Sequence, residues 1–394
     1  MTKPGGFLCR ETGDYVVTTP ETPRERFLAS LTFGHPGRVT FSPGMPREST
    51  LAAWHRQGLP EGADYCEHLH EILGIEPESS QEALKPDVSF AMMPEFEEEI
   101  LAHKDGHYIV RDWMGAVTEI EDRFDPSYLR SAKDFVTRKW HKFPVEERPD
   151  WIEMKQRYVP DTPGRFPSDF EECCAALRNR DYVVGIDVNG PFWQLREWLG
   201  FERLCMTLID DPSWIAEMIE FWTFFVSVLL ARILARVEPD YICIHEDMAY
   251  KGHSMISPDM TRRFLLPCYQ RWVPEIRKSC PIVDLDSDGY IEELIPIWIE
   301  AGINCCDPVE VAAHNDIVKY RRSFGRDMAF RGGIDKRAIA AGGGTMTGEL
   351  RRVVPPLLAG GGFIPGCDHG VPPDITWPAY VEYACALAGL TGWL

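Results

Sequence analysis

A cysteine, an aspartate and a histidine stand next to one another near the end of the chain, at Cys367, Asp368 and His369. A thiolate can bind a metal, a carboxylate can hold a cation, and an imidazole can exchange a proton near neutral pH. The trio follows an apolar run that starts at Phe363, and glycines and prolines surround it. Polar residues on such a loop after an apolar strand are typical of the carboxyl end of a barrel strand, where these folds carry out chemistry.

Other apolar runs in the second half of the chain also end in polar residues. These residues are His245, Glu246 and Asp247, then Asp286 and Asp288, then Asp307 and Glu310, and finally Arg331 and Asp335. If the runs are parallel strands of one barrel, their polar ends meet at one mouth. So many carboxylates in one cavity need a metal, a cationic partner or a bound proton.

Three chemical roles fit this set. A divalent metal could bind Cys367 together with Asp286 or Asp288, and a thiolate combined with carboxylates suits zinc better than magnesium. Asp288 or Asp247 could bind and protonate a heterocyclic nitrogen. His369 could act as a general acid or base.

Structural roles remain open for several of these residues. His245 could be a core histidine bonded to a backbone carbonyl. Asp307 precedes Pro308, a pair that often initiates turns. Arg331 could anchor a ligand carboxylate or pair with a neighbouring aspartate.

The elements that must position these residues alternate along the second half of the chain. Strand-like runs separated by helical segments predict a parallel sheet. Polar clusters at so many strand ends favour a closed (β/α)8 TIM barrel in a single domain. We expect residues 1–23 to be an N-terminal extension, 24–394 to form the barrel, and about 86–150 to be an insert. The predicted strands are 39–41, 182–188, 241–244, 281–285, 303–306, 328–330 and the run from 363.

The insert is predicted to contain an antiparallel hairpin over 97–119, with Asp105-Gly106 as its turn. Residues 139–150, which include Trp140, Pro144 and Pro149, are predicted to form a loop.

Composition limits the possible partners. The formal net charge of −20 repels phosphate backbones and anionic lipids, so neither nucleic acid nor membrane is an expected partner. The 12 cysteines show no disulfide-like spacing and no CxxC, and the first residues lack the apolar core of a signal peptide. The longest apolar run, near 224–234, is interrupted by Ser227 and Arg232. We therefore expect a cytoplasmic protein that acts on a small molecule.

Several segments resemble the uroporphyrinogen decarboxylase superfamily, from about Arg24 to the C-terminus. This superfamily includes the decarboxylase and the methyltransferases that move methyl groups between corrinoid proteins and thiols or folates. The resemblance implies a single (β/α) barrel. The segments that carry it are PRERFLASLTFGHPGRV, GIDVNGPF with WLGF, IHEDMAYKGHSMISPDMTRRFLLP, VDLDSDG and GCDHGVPPD.

The resemblance to the decarboxylase implies roles for a few positions. His369, followed by Gly370, matches a histidine that lies at the substrate. Asp247 stands where the decarboxylase has a serine, and Glu197 falls near its cleft tyrosine. The decarboxylase's arginine-rich N-terminal motif is replaced by a segment containing Arg47, and its Phe-Ser-Asp motif has no counterpart.

The resemblance to the methyltransferases implies a different use of the site. Where the zinc-dependent branch has His-x-Cys, this chain has Asp286-Ser287-Asp288, and the later cysteine is kept as Cys367. The corrinoid–folate branch works without zinc and binds its pterin through acidic residues, a role for Asp288, Asp247 and Glu246.

These implications lead to a main functional prediction and two alternatives. The chain is predicted to be a methyltransferase that moves a methyl group between a separate corrinoid protein and a folate or thiol, with zinc as an optional metal. It could instead be a decarboxylase of uroporphyrinogen or another carboxylated substrate, or a non-catalytic corrinoid- or ligand-binding protein. The catalytic candidates are His369, Asp288 and Asp247; the substrate-binding candidates are Glu246, His245, Asp286, Arg331, Arg47 and Glu197; the metal candidates are Cys367, Asp286 and Asp288.

Overall fold

The computed structural model describes residues 21–76, 84–131 and 136–394. Most of the predicted N-terminal extension therefore lies outside the described residues. The helices are α1 (Pro23–Leu31), α2 (Glu48–His55), α3 (Tyr65–Leu73), α4 (Tyr128–Ser131), α5 (Arg148–Lys155), α6 (Phe170–Ala176), α7 (Pro191–Leu199), α8 (Phe201–Asp210), α9 (Pro212–Leu234), α10 (Pro258–Met260), α11 (Leu266–Ile276), α12 (Ile295–Ala301), α13 (Ile317–Phe324), α14 (Lys336–Ala341), α15 (Gly343–Gly360) and α16 (Trp377–Leu390).

The strands form a large parallel sheet, a four-stranded antiparallel sheet and a small hairpin. They are β1 (Glu99–Lys104), β2 (His107–Arg111), β3 (Val117–Glu121), β4 (Lys139–Lys142), β5 (Gly185–Asn189), β6 (Tyr241–His245), β7 (Ala249–Tyr250), β8 (His253–Ser254), β9 (Ile282–Asp286), β10 (Cys305–Asp307), β11 (Ala329–Ile334) and β12 (Phe363–Cys367).

The large sheet confirms the predicted parallel α/β arrangement. Its six strands run in the order β12-β11-β10-β9-β6-β5, and the paired strands are parallel throughout. The register places His245 beside Asp286, and Asp286 beside Asp307. The polar strand ends therefore lie together at one edge, as predicted.

Within the described ranges these six strands do not close into an eight-stranded barrel. The predicted strand 39–41 is extended but has no sheet ladder. It leads into Pro43 and Pro46, which lack the N–H that a ladder requires. The segment still lies along β12, because the amide of Cys367 donates to the carbonyl of Pro43 at 3.3 Å.

The two faces of the large sheet carry different residues because side chains alternate along each strand. Ile244, Leu285 and Phe330 join the main apolar core, which is shared with the surrounding helices. On the other face, Ile282 and Ile364 pack with buried residues of α1. We call this second face, which packs against α1, the inner face. Along it the side chains change from apolar at the amino ends of the strands to polar at their carboxyl ends.

The region predicted as an insert contains the predicted hairpin, with β1 and β2 joined at Asp105-Gly106. The hairpin is part of a four-stranded antiparallel sheet with a small apolar core that includes Val110 and Ile120. The predicted loop over 139–150 was wrong, because β4 pairs with β3 and α5 begins at Arg148. Strand pairing supplied an order that local composition did not indicate.

Helix α9 is long and apolar enough to cross a membrane by length and composition, even though Ser227 and Arg232 interrupt its apolar run. Its apolar 18-residue window is 56% buried inside the protein. Met218, Trp222 and Leu229 on its buried face belong to the main apolar core. These contacts are those of a core helix in a globular protein.

Candidate active site

A cavity of about 820 Å³ lies at the carboxyl ends of the parallel strands. Its walls come from the strand ends, from the extended segment 41–45 and from α3. Among the predicted site residues, those that line it are Asp286, Asp288, Arg331, Cys367 and His369.

His369 lies between a carboxylate and a guanidinium. Its Nε2 is 2.9 Å from Asp288 Oδ2, and its Nδ1 is 3.3 Å from Nη2 of Arg47. The hydrogen bond to Asp288 raises the pKa of His369, whereas burial and the charge of Arg47 oppose that shift. A guanidinium can only donate, so this geometry fits an imidazole with its proton on Nε2 and its lone pair on Nδ1. His369 is therefore held in one orientation with a proton shared toward Asp288.

His245 is held by two carboxylates rather than by a backbone carbonyl. Its Nδ1 is 2.6 Å from Asp286 Oδ2, and its Nε2 is 3.1 Å from Asp187 Oδ1. Burial by itself would lower the pKa of His245, but the hydrogen bonds to Asp187 and Asp286 raise it well above the usual range. The two carboxylates thus favour the charged form of the imidazole.

Arg331 is neutralised by carboxylates of the protein. Its Nη1 lies 2.7 Å from Asp284 Oδ2 and 3.6 Å from Asp307 Oδ2. Burial opposes its charge, but Asp307 and Asp284 keep its pKa well above the ordinary value. Burial also raises the pKa of Asp307. Much of the positive charge of Arg331 is thus already balanced before any substrate arrives.

Glu246, Glu197 and Asp247 do not line the cavity. Glu246 is buried beneath the start of α7, where it accepts hydrogen bonds from the amide of Trp193 at 2.9 Å and from the Tyr269 hydroxyl. Glu197 accepts from the indole of Trp193 at 2.7 Å.

Asp247 marks the point where the chain turns away from β6. It has a φ of +43° and pairs with Arg196 at 3.2 Å. Burial raises the pKa of its carboxyl, while Arg196 opposes the shift. His245, Glu246 and Asp247 thus point in different directions, although they are consecutive in sequence.

The predicted metal ligands do not assemble. Asp286 Oδ2 is 2.6 Å from His245 Nδ1, and Asp288 Oδ2 is 2.9 Å from His369 Nε2. Among the described residues, one group of three His, Cys, Asp or Glu side chains has ligand atoms that all lie within 4.8 Å of one another. This group consists of Asp187, Cys243 and His245. The set Cys367, Asp286 and Asp288 therefore does not fit a zinc site in this structure.

Sequence reasoning missed Asp187, Cys243 and Asp284. Each has an apolar residue on either side of it within its strand. Asp187 lies in Gly-Ile-Asp-Val-Asn, Cys243 in Tyr-Ile-Cys-Ile-His and Asp284 in Ile-Val-Asp-Leu-Asp. Alternation of apolar and polar residues indicates a face that is not packed against helices. The signal for these three residues therefore lies within the strands and not in the loops that follow them.

Comparison with known proteins places this geometry in a family. The family model described as "Uroporphyrinogen decarboxylase (URO-D)" matches residues 175–382, more than half of the chain. The chain belongs to this family. Comparison of the sequence with curated proteins found no match.

A solved structure of a "methyltransferase from Methanosarcina mazei" is similar to this one. The two share 15% sequence identity with a TM-score of 0.52, over 94% of this chain and 98% of that chain. At this identity the likeness establishes a shared fold. Together with the family match, it supports an enzyme of the uroporphyrinogen decarboxylase superfamily.

The family region contains β5 to β12 and therefore every strand of the parallel sheet. Segment 41–45 and α3, which also line the cavity, lie before it, and so does the antiparallel sheet. In this member of the uroporphyrinogen decarboxylase family, the cavity is thus built from the family region and completed by preceding residues.

The turn after Asp288 depends on a glycine. Gly289 has a φ of +84°, and a Cβ there would lie 2.4 Å from the backbone carbon of Ala249. We expect Gly289→Ala to lower the free energy of unfolding by about 2–4 kcal/mol, from backbone strain and collision combined. Gly348→Ala is the matched control, since its Cβ would meet nothing within 4 Å in α15. Urea unfolding of both variants tests this; equal stability would contradict it.

The buried carboxyl of Glu246 makes stability depend on pH. Burial raises its pKa to about 7, although hydrogen bonds from Tyr269 and the start of α7 oppose the shift. An unfolded glutamate has a pKa of about 4.3, so the folded state holds this proton more tightly. The resulting stabilisation is complete below about pH 4 and is lost as pH rises through about 7.

We expect this pH dependence to disappear in Glu246→Gln. The free energy of unfolding of the unsubstituted protein, minus that of the variant, should fall as the pH is raised from about 5 to about 8. Urea unfolding at several pH values measures this difference. The exposed Glu238→Gln is the control, and a constant difference for Glu246→Gln would contradict the assignment.

Proposed function

We propose that this chain is a methyltransferase that moves a methyl group between a separate corrinoid protein and a folate or thiol. The reaction would take place in the cavity at the carboxyl ends of the parallel strands. The enzyme would work in the cytoplasm on a small-molecule acceptor or donor.

The observation that carries this proposal is the charge of the cavity wall. Among its described lining residues, Arg331 is the single arginine or lysine, and Asp284 and Asp307 already balance it. The lining carboxylates are Asp64, Glu67, Glu76, Asp286, Asp288 and Asp307. Such a wall repels uroporphyrinogen, which carries eight carboxylates, and favours a substrate with hydrogen-bond donors.

The size of the cavity also supports a small acceptor. A volume of about 820 Å³ lies in the range of sites for small ligands, about 300–1,000 Å³. A pterin offers amide and amino donors that the carboxylates of Asp286 and Asp307 can accept. A corrinoid is larger and would be presented at the mouth by its own protein.

We assign the proton-handling step to His369. Its Nε2 shares a proton with Asp288, so the pair can give a proton to, or take one from, an acceptor nitrogen or thiol in the cavity. Arg47 holds the opposite side of the ring. This orientation supports transfer because a positioned group loses little freedom during the reaction.

We also propose that two extended segments complete the family's barrel. Residues 39–46 approach the end of β12, where the amide of Cys367 donates to the carbonyl of Pro43 at 3.3 Å, and the loop after β12, where the amide of Val371 donates to the carbonyl of Met45 at 2.8 Å. Lys85 lies close enough to β5 for its charge to help lower the pKa of Asp187. This effect is smaller than that of the hydrogen bond from His245, and burial opposes both. Segments 39–46 and 84–92 would then occupy the positions of the two missing strands.

The test is a methyl-transfer assay on the purified chain. Methylcobalamin is supplied with tetrahydrofolate or a thiol, and the methylated acceptor is measured by mass spectrometry together with loss of the methylcobalamin absorbance. Enzyme-dependent methylated product supports the proposal. Porphyrinogen turnover without methyl transfer would overturn it.

A decarboxylase acting on a smaller acid is the second candidate. His369 lines the cavity and Arg47 lies 3.3 Å from its ring, so the two could together hold a single carboxylate if Arg47 turned toward the cavity. Release of carbon dioxide from a small carboxylated substrate would favour this reading. Tight ligand binding in calorimetry without turnover would instead favour a non-catalytic binding protein.

A further inference from the structure

Sulfur, nitrogen and oxygen ligand atoms meet where β5 lies beside β6. Asp187 and Cys243 are direct partners across the two strands, and His245 follows Cys243 on the same inner face. Their Sγ, imidazole nitrogen and carboxylate oxygen all lie within 4.8 Å of one another. Strand register alone therefore brings three different metal-ligating groups together.

His245 is oriented as metal-binding histidines usually are. Its Nδ1 lies 2.6 Å from Asp286 Oδ2, and its Nε2 faces Asp187 Oδ1 at 3.1 Å. In metal sites, a carboxylate that holds one ring nitrogen fixes the tautomer and directs the other nitrogen to the ion. Asp286 occupies that outer position here.

The distances suit a small tetrahedral ion. Bond lengths of about 2.0–2.3 Å to nitrogen, oxygen and sulfur put the ligand atoms of a tetrahedral zinc about 3.3–3.5 Å apart. In the structure the three ligand atoms already lie within 4.8 Å of one another. A thiolate with an imidazole favours zinc over magnesium or calcium, which prefer oxygen ligands.

The surroundings of the three groups give access from one side. The Cys243 side chain is buried at 4% exposure, whereas the Asp187 side chain is 56% exposed. An ion can therefore arrive past Asp187 and reach the sulfur behind it. Three protein ligands leave a fourth position for water or an external thiolate, which is the arrangement of catalytic rather than structural zinc sites.

We propose that Asp187, Cys243 and His245 bind one zinc ion, with Asp286 holding His245 from outside the ligand set. This site differs from the positions Cys367, Asp286 and Asp288, which do not come together. The proposal concerns binding of the ion and does not depend on the methyl-transfer reaction.

Metal analysis of the full-length protein tests the proposal. The metal-stripped chain is titrated with zinc, and bound metal is measured by inductively coupled plasma mass spectrometry after desalting. We expect about one zinc per chain, and substitution with cobalt(II) should give a thiolate-to-cobalt charge-transfer band. Cys243→Ser should remove that band and most of the bound zinc.

Cys367→Ser is the matched control, because its thiol is also buried and lies outside the proposed ligand set. It should keep both the zinc and the band. Asp187→Asn, at an exposed position that should leave the fold intact, should weaken zinc binding. Asp286→Asn should weaken it by about 10–100-fold, as expected for loss of an outer carboxylate.

Two results would overturn the site. One is that the unsubstituted chain binds zinc no more tightly than Cys243→Ser does, while circular dichroism shows that both are folded. The other is loss of zinc from Cys367→Ser while Cys243→Ser retains it. Because these measurements use no methyl donor, their failure is distinguishable from failure of the methyl-transfer assay.

Discussion

Replacing His369 with alanine is expected to lower kcat/KM for methyl transfer by about 10²- to 10⁴-fold, the usual contribution of a general acid or base. The imidazole lines the cavity and is held by Asp288 at 2.9 Å and by Arg47 at 3.3 Å. Its removal takes away the group assigned to proton transfer and leaves the other cavity walls in place. Steady-state kinetics with methylcobalamin and the active acceptor measures the loss.

The control for this variant is His253→Ala, at an exposed histidine on β8. It should retain activity close to that of the unsubstituted chain. Activity of His369→Ala within a few-fold of the unsubstituted enzyme would contradict the assigned role.

A change of Asp288 to asparagine separates positioning from simple damage to the cavity. The hydrogen bond to Asp288 is the main cause that raises the pKa of His369. Without that carboxylate, the limb of the pH–rate profile that reports the imidazole should move to lower pH. A uniform loss of rate with an unchanged profile would indicate that Asp288 acts in another way.

Replacing Arg331 with methionine is expected to lower the free energy of unfolding by about 3–5 kcal/mol, the usual cost of breaking a buried ion pair by removing one partner. The Asp284 side chain is 1% exposed and its Oδ2 lies 2.7 Å from Arg331 Nη1. Its other oxygen has no hydrogen-bond partner. Loss of the guanidinium would thus leave a desolvated carboxylate without its counter-charge.

Urea unfolding followed by circular dichroism measures this effect. Arg331→Lys keeps a positive charge and should cost less than the methionine change. The double variant with Asp284→Asn should recover part of the lost stability, since the orphaned charge is removed as well. A loss of less than about 1 kcal/mol in Arg331→Met would mean that the pair behaves like an exposed one.

The sequence by itself determined the sheet and the edge at which the site forms. Alternating strands and helices require parallel pairing, and parallel strands place their carboxyl ends together. That rule was enough to bring Asp286, Asp288, Arg331, Cys367 and His369 to one cavity. Turn chemistry was equally local, so Asp105-Gly106 was recognised without knowledge of the rest of the insert.

Only the tertiary structure decided which neighbour each polar side chain meets. His245, Glu246 and Asp247 are consecutive, yet one joins the inner face, one is buried under α7 and one pairs with Arg196. Register across β5 and β6 placed Asp187 beside Cys243, and from there its carboxylate reaches His245, a residue far away in sequence. Periodicity fixes the face of the strand on which a residue lies. The partners of that residue depend on strand register and on packing between distant segments, and these partners set its charge and its affinity for a metal.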